Sequence, residues 1–466
     1  MFENFNKDQN KTAIILDNGE KISYKKIIKD SDSIIKSLEK KKSLVFIFCE
    51  NNYETVISYV ACLRSNHVPY LIDSLLPNEK ISDLIKLYKP NYLICKKKKF
   101  NFIDKLKEKK NKFNYMIFET KFKNNSINDK LFLLLGTSGT TGDPKLVRLS
   151  EKNLKINTDQ IIDYLKIDNS HRSVSTLPIY YTYGLSILNT HLCGGASIYL
   201  TKKTFFEKIF WNNFNKFKVN NFGGVPFNYQ MLLKLNFDKI NTKYLKYITQ
   251  AGGKLNDNDF DKIEKISEEK KIKFFSMYGQ TEATSRMSFI PWDKIKSMKG
   301  TIGKPVKGAK FFLYSDEKKI EKINKEGEII FQGKNVCLGY SYNSNDLSKG
   351  DENKGLLRTG DIGIYDHNKN IRITGRKSRF IKVYGFRINL DEIEKTLVQN
   401  GFECACLGKN DKLLIFHTQK NIEKKIYNIL KEKLNLLSRD ISITNIKVIP
   451  RSKIGKIDYK KLNEIR

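Results

Sequence analysis

LFLLLGTSGTTGDPKLVRLS, residues 131–150, decides how this chain is read. An apolar run, 131–135, has the length of a buried strand. It opens into Gly136, Thr137, Ser138, Gly139, Thr140, Thr141 and Gly142, and then into Asp143, Pro144 and Lys145. Glycines let a backbone fold closely round an anion, and successive N–H groups with small hydroxyls supply donors without bulk. Lys145 adds a point charge at the end of the loop. The chemistry is that of triphosphate or pyrophosphate binding. No GxxxxGK followed by Ser or Thr can be laid on these residues, so the loop is not of the Walker type. A Gly/Thr surface turn is the competing reading, and the density of hydroxyls and glycines argues against it.

On the N-terminal side of this loop, short apolar runs alternate with helical patterns. Residues 12–16 and 21–24 flank Asp17-Asn18-Gly19 and predict a hairpin. Residues 27–38 have helical spacing, 44–49 read as a buried strand, 53–64 as a helix and 69–72 as a strand. That rhythm predicts βαβ units and a parallel sheet. It returns at 172–177, 183–193, 196–200 and 219–224, which predicts a second sheet of the same kind. From about residue 302 the texture changes to short strands with Gly turns, at 310–314, 327–332, 358–365 and 370–374. Helices at 391–399 and 422–434 and a hairpin at 404–417 then predict a smaller α+β unit. The fold class is α/β: a large domain, 1–376, of two doubly wound sheets and a small distorted β-barrel. A small mobile α+β domain, 379–466, follows a hinge at 377–378.

Composition narrows the function. The 466 residues carry 85 Lys plus Arg against 51 Asp plus Glu, a formal charge of +34. Only twelve of the 85 are Arg, and the Lys are spread along the chain instead of gathered into a stripe, so nucleic acid is not the expected partner. No apolar run approaches the roughly 20 residues of a membrane span, and the start has no signal-peptide pattern. Seven Cys without CxxC spacing argue against a disulfide framework or a zinc site, and the five His form no ligand pattern. Cys404 and Cys406, two apart on a strand, read as buried structural thiols. A cytoplasmic protein is expected.

The loop closely resembles the phosphate-binding signature of the adenylate-forming superfamily, which comprises acyl- and aryl-CoA synthetases, luciferases and adenylation domains of peptide synthetases. The resemblance continues in order along the chain. Tyr278-Gly279-Gln280-Thr281-Glu282 looks like the YGxTE motif. Gly327-Glu328-Ile329 with Gly333, Asn335, Gly339 and Tyr340 looks like the GEL…G…GY block. Arg358-Thr359-Gly360-Asp361, then Gly375-Arg376 through Gly385 and Arg387 to Glu394, and finally Pro450 to Ile457 complete the series.

The resemblance implies a carboxylic acid activated by ATP. Attaching AMP turns a carboxylate oxygen into part of a leaving group, and two anions must first be brought together by donors and a metal. It assigns Thr281 to the α-phosphate and Glu282 to Mg²⁺. The loop Thr137–Gly142 and Lys145 take the departing phosphates. Asp361 takes the ribose hydroxyls, assisted by Arg376, while Tyr278, Gly279 and the Gly252-Gly253 backbone flank adenine. Lys456 reaches the carboxylate and the α-phosphate. Tyr181, Tyr183, Gly184, Phe227, Ala251 and Met277 line an acyl pocket. After a rotation of the small domain, the Gly385 loop forms the tunnel for the thiol of CoA or of a carrier-protein phosphopantetheine.

The chain departs from the pattern at Ser378, where the family commonly has Asp or Lys at the hinge, and at Lys254, where a small residue is usual. The block at 177–184 lacks the Asp that holds the ammonium of amino-acid substrates, which disfavours an α-amino acid. Five of the twelve Arg (358, 372, 376, 379 and 387) fall within thirty residues of the hinge, which in so Lys-rich a chain points to planar recognition of phosphate or ribose oxygens. The expected activity is an acid–thiol ligase. Its rivals are an amino-acid activator feeding a carrier protein and a catalytically silent nucleotide-binding relative.

Overall fold

The computed structural model describes residues 5, 9–96, 107–109, 113–122, 126–136, 145–315, 317–383, 386–409, 412–434, 440–452 and 455–465. Strand Leu44–Cys49 is buried at all six positions, as an apolar run covered on both faces must be. It pairs in parallel with Val68–Asp73 and Tyr92–Lys96, and Val68–Asp73 pairs in parallel with Leu131–Gly136. Antiparallel strands Leu146–Ser150 and Tyr115–Glu119 extend this sheet to either side. The second sheet runs in parallel through Ser197–Leu200, Arg172–Val174, Asn221–Gly224, Tyr247–Gln250 and Lys273–Tyr278.

Two helices fill the space between these sheets. Tyr53–Arg64 is buried at every position from 55 to 63, and Thr182–Cys193 is almost as fully covered. A helix apolar on all sides has to be enclosed by protein. One core accordingly joins Val45 and Ile47 of the first sheet to Ile14 and Ile198 of the second, across Val60 and Leu188.

The N-terminal hairpin forms as expected from Thr12–Leu16 and Lys21–Ser23, but it joins the second sheet, parallel to Ser197–Leu200. Its neighbour is some 180 residues away in sequence, so local patterning holds no trace of that placement. Tyr24 begins the next helix instead of ending the strand, because the Ser23 side chain accepts from the Lys26 N–H and caps it.

Beyond these sheets lies a five-stranded antiparallel sheet that includes Lys310–Ser315, Gly327–Gln332, Leu356–Tyr365 and Ile371–Arg376. A 3₁₀ turn, Lys377–Arg379, leads into the last unit. There helices Leu390–Gln399 and Glu423–Leu434 pack Ile393, Leu397, Ile426 and Leu430 on the hairpin Cys404–Lys409 and Lys412–His417. Cys404 and Cys406 are buried in this core, as their alternation predicts. Arg379 crosses the same interior, bonded to Asp391 at 2.8 Å and Glu394 at 2.6 Å and stacked on the Tyr459 ring.

Candidate active site

In an open parallel sheet, helices cover the faces and leave the carboxyl ends of the strands free for a ligand. Three parallel neighbours here end in the segments singled out by their sequence. Asn221–Gly224 leads to Phe227, Tyr247–Gln250 to Ala251, Gly252 and Gly253, and Lys273–Tyr278 to Gly279–Glu282. The Gln250 side chain donates to the Gly253 carbonyl at 2.7 Å and so shapes the second turn.

Gly279 lets the third segment fold back on itself. A Cβ there would lie 1.8 Å from the carbonyl oxygen of Ser285, so no other residue fits without moving the backbone. The fold-back produces a 3₁₀ turn, Thr281–Ala283. The GY block fastens this turn from outside: Asn335 Nδ2 donates to the carbonyls of Ala283 and Arg286, and the Cys337 N–H donates to that of Glu282. Thr281 Oγ1 lies 2.9 Å from Thr182 Oγ1, at the start of the enclosed helix. Tyr340 Oη donates to Glu282 Oε1 at 2.8 Å, and Lys145 Nζ stands 4.1 Å from the centre of the Tyr340 ring. The cation at the end of the glycine-rich loop is thereby linked through one aromatic ring to the Glu282 carboxylate.

Asp361 and Arg376 are cross-strand partners on Leu356–Tyr365 and Ile371–Arg376. Arg376 Nε bonds Asp361 Oδ1 at 3.0 Å, while Tyr278 Oη and Gln280 Nε2 both donate to Oδ2. The carboxylate is 3% exposed, so these partners hold it in one orientation. Oδ1, with one donor, retains lone-pair capacity for a further hydroxyl, whereas Oδ2 already accepts two hydrogen bonds. Burial, and then the adjacent Asp361, push the Tyr278 phenol well above its usual range and keep it a neutral donor.

Lys456 comes from the far end of the chain. Gly455, at φ +76°, brings its loop directly onto the Phe227 side chain: a Cβ would lie 2.3 Å from that of Phe227. Lys456 then shares the field of Arg376, Asp361 and Glu282. Burial first, and Arg376 second, lower its ammonium to about 8, against the opposing pull of the two carboxylates.

The expected acyl-pocket residues form one cluster. Tyr181, Tyr183, Phe227, Ala251 and Met277 pack with Leu177 and Val225. Tyr183 is fully buried, and its hydroxyl donates to the Thr249 carbonyl at 2.7 Å. Tyr181 closes against Gly252, where a Cβ would lie 2.7 Å from its hydroxyl, and burial pushes its phenol up to about 12. Gly184 lies at the edge of the group, against the Pro178 carbonyl. Three further side chains belong to this region and were not singled out from sequence: Tyr164, which stacks on Phe289, Tyr247 and Arg286. Arg286 was open to the reasoning applied to the hinge arginines, since it too is one of only twelve.

Thr137, Ser138, Gly139, Thr140, Thr141, Gly142 and Gly385 lie outside the described residues. Of the arginines expected to recognise phosphate or ribose oxygens, Arg376 alone is bonded to Asp361 among the described residues. Arg358 pairs with Glu317, Arg372 with Asp366, and Arg379 with Asp391 and Glu394, so these three serve protein carboxylates; the Arg387 side chain is not described. Ser378 is exposed within the 3₁₀ turn, and Lys254 reaches the exposed Asp257 at 3.5 Å.

Two layered sheets with loops gathered at the strand ends, and a small α+β unit leaning on them through Gly455, define the adenylate-forming fold class. The chain belongs to the AMP-binding enzyme family, whose sequence profile matches residues 1–341. It is similar to the oxalate–CoA ligase of Saccharomyces cerevisiae, at 26% identity over 71% of this chain; the chain spans 62% of that relative's length. In structure it resembles ATP-bound MatB from Rhodopseudomonas palustris, with a TM-score of 0.82 at 20% identity over 99% of this chain and 98% of that one. It also resembles o-succinylbenzoate CoA synthetase from Bacillus subtilis, solved with an acyl-adenylate, with a TM-score of 0.78 at 20% identity over 98% and 96%. Among the described residues, no helix is long and apolar enough to cross a membrane.

Proposed function

We propose that this protein is an ATP-dependent acid–thiol ligase working through an acyl-AMP. The observation that carries the proposal is the approach of the Gly455 loop, from the last unit, to Phe227, which sets the Lys456 ammonium in the field of Asp361 and Glu282. In the first half-reaction a carboxylate oxygen of the acid attacks the α-phosphorus, the bond to the bridging oxygen breaks, and pyrophosphate leaves with that electron pair. Thr281 donates to the α-phosphate, and the Lys456 ammonium offsets the repulsion between the two anions. Lys145 faces the departing phosphates together with the loop Thr137–Gly142. Asp361 and Arg376 hold the ribose, and Tyr278 and Gly252-Gly253 flank the base. In the second half-reaction the sulfur of CoA or of a carrier-protein phosphopantetheine attacks the acyl carbon, the thiol proton passes to solvent, and AMP leaves.

Mg²⁺ fits Glu282. Among the described residues there is no cluster of three acidic, His or Cys ligands, and Mg²⁺ is usually held by one or two carboxylates together with substrate phosphates and water. Tyr340 occupies only Oε1 of Glu282 and so orients the carboxylate. The ion, when bound, supplies charge neutralisation at the phosphates.

The proposal includes the division of the chain at 377–378 into residues 1–376 and 379–466. The 3₁₀ turn at that place and the exposed Ser378 supply a short, lightly packed link. Rotation about it would withdraw Lys456 and bring the Gly385 loop to the site. A cytoplasmic location belongs to the same reading, in keeping with seven cysteines scattered along the chain without CxxC spacing.

The test is ATP–pyrophosphate exchange by the purified chain with Mg²⁺ and a panel of aliphatic, hydroxy, aryl, dicarboxylic and amino acids. Exchange with at least one acid and formation of its thioester are expected. No AMP from any of them would end this reading and leave the silent relative. The pH dependence carries a sign. The Lys456 ammonium is present below about 8 and lost as pH rises through that value, so exchange should fall on the alkaline side. Lys456→Arg, which stays charged, should remove the fall at a lower maximum rate. An alkaline limb shared by both proteins would assign it to another group.

A further inference from the structure

Adenylation, as proposed above, leaves one buried cation without a task. Arg286 is 4% exposed, and its guanidinium carbon lies 3.9 Å from the centre of the Tyr183 ring. Nε contacts Met277 Sδ at 3.4 Å and Nη1 donates to Ser285 Oγ at 2.5 Å. No carboxylate among the described residues lies within ion-pair distance of it. The chain pairs its other deeply buried arginines: Arg148 with Glu352, and Arg379 with Asp391 and Glu394. The Tyr164 and Tyr183 hydroxyls also interact with Arg286, but all these partners are neutral and none supplies a counter-charge, so a buried guanidinium of this kind is half of a pair.

The missing half has a place. A cavity of about 20 Å³, the space of about one water, adjoins Arg286, Tyr183, Thr249, Tyr247 and His191, and a larger polar group would enter by displacing water and parting the lining. Two polar atoms on its lining, Tyr247 Oη and His191 Nε2, are buried with no partner at hydrogen-bond distance, although the Asn221 side chain on the same lining acts on His191. His191 Nδ1 faces the Ile187 carbonyl at 2.9 Å and carries the proton, and burial holds the ring down at about 4, so it is neutral. The carboxylate that acts on Tyr247 is Asp168, which is itself exposed and bonded to His171 at 2.8 Å. Arg286 therefore supplies the cavity's full charge, and that charge is positive.

We propose that Arg286 receives an anionic group at the far end of the acyl substrate, so that the acid activated here is a short dicarboxylate or an acid with an equivalent terminal anion. Substrate length follows from the helix Thr182–Cys193. Thr182 touches Thr281, assigned above to the α-phosphate, and the next residue, Tyr183, carries Arg286 on its ring. The place assigned to the reacting carboxylate and the Arg286 guanidinium are thus both reached from the first turn of one helix, which favours a short acid. Tyr247 Oη is placed to add a neutral donor, and His191 Nε2 accepts from any hydroxyl on that chain. The inference rests on the ligase reading and names its substrate class.

The test compares malonate, succinate, glutarate and 3-phosphonopropionate with butyrate, pentanoate and hexanoate in pyrophosphate exchange, using wild type, Arg286→Lys and Arg286→Met. In wild type at least one anionic-tailed acid should exceed every neutral-tailed acid by about a hundredfold in kcat/KM. The phosphonate arm separates a carboxylate-shaped receptor from one that takes any terminal anion. Arg286→Met should erase the preference, chiefly through KM, with ATP affinity by calorimetry unchanged; Arg286→Lys should retain part of it. If Arg286→Met does not fold, the wild-type preference and the Lys variant decide. Exchange with neutral-tailed acids at equal or higher efficiency in wild type overturns this inference alone. So does an Arg286→Met variant that loses both acid classes equally while still binding ATP. Exchange with no acid of either class removes the ligase reading and this inference with it.

Discussion

Lys456→Ala should lower ATP–pyrophosphate exchange by about a thousandfold, the scale on which removing a donor aimed at developing charge acts. Thioester formation from separately supplied acyl-AMP should stay within about twofold of wild type. The reason lies in where the ammonium comes from. Lys456 follows Gly455, whose contact with Phe227 carries the loop onto the proposed acyl pocket, and its ammonium lies in the field of Asp361, Glu282 and Arg376. It is present at the site only while the small unit leans on the large one in this arrangement. A group brought in by that contact can serve the step that needs it and be absent from the next. Equal loss of both half-reactions would reject the division of labour, and full retention of exchange would reject Lys456 itself.

Asp361→Ala should raise the KM for ATP and lower kcat/KM by about a hundredfold, a loss of the size expected when charged hydrogen bonds to a bound ligand are removed. The carboxylate has a structural part beyond the ribose contact proposed for it. It gathers Tyr278, Gln280 and Arg376 into one network, so its removal frees the ring proposed to flank the base and leaves Arg376 without its partner. Asp361→Asn, which keeps the shape and one acceptor, should recover part of the affinity. Calorimetric ATP affinity measured alongside exchange separates binding from chemistry. Unchanged affinity in both variants would show that the network is only a brace for the strand pair Leu356–Tyr365 and Ile371–Arg376.

The degree to which the site could be read in advance varied with the range of the interaction. Leu44–Cys49 and Tyr53–Arg64 were legible to the residue, the first because burial on both faces leaves an unbroken apolar run, the second because its apolar residues recur at helical spacing. Thr281 and Glu282 were singled out through the resemblance of 278–282 to a family motif, and the Ser285 carbonyl that excludes a Cβ at Gly279 gives that motif a local steric reason. Arg286 was passed over because its meaning is a missing partner, and a missing partner is visible only when everything around the guanidinium is known. Arg358, Arg372 and Arg379 were misjudged for the complementary reason: their carboxylate partners stand elsewhere in the chain or across a packed interior, and composition counts residues without pairing them.

What the amino-acid order determined alone was the set of elements, their rough sequence of sheets, and the chemical types gathered at the loops. These follow from periodicity and from local steric demands of glycine and capping residues. What tertiary structure alone decided was neighbourhood. It laid the strand Thr12–Leu16 beside Ser197–Leu200, brought Lys456 to Asp361 and Glu282, and set Arg286 on Tyr183 beside two unpartnered polar atoms. Those outcomes depend on packing and on the desolvation of charge, which sum over the whole interior and leave no mark at any one position.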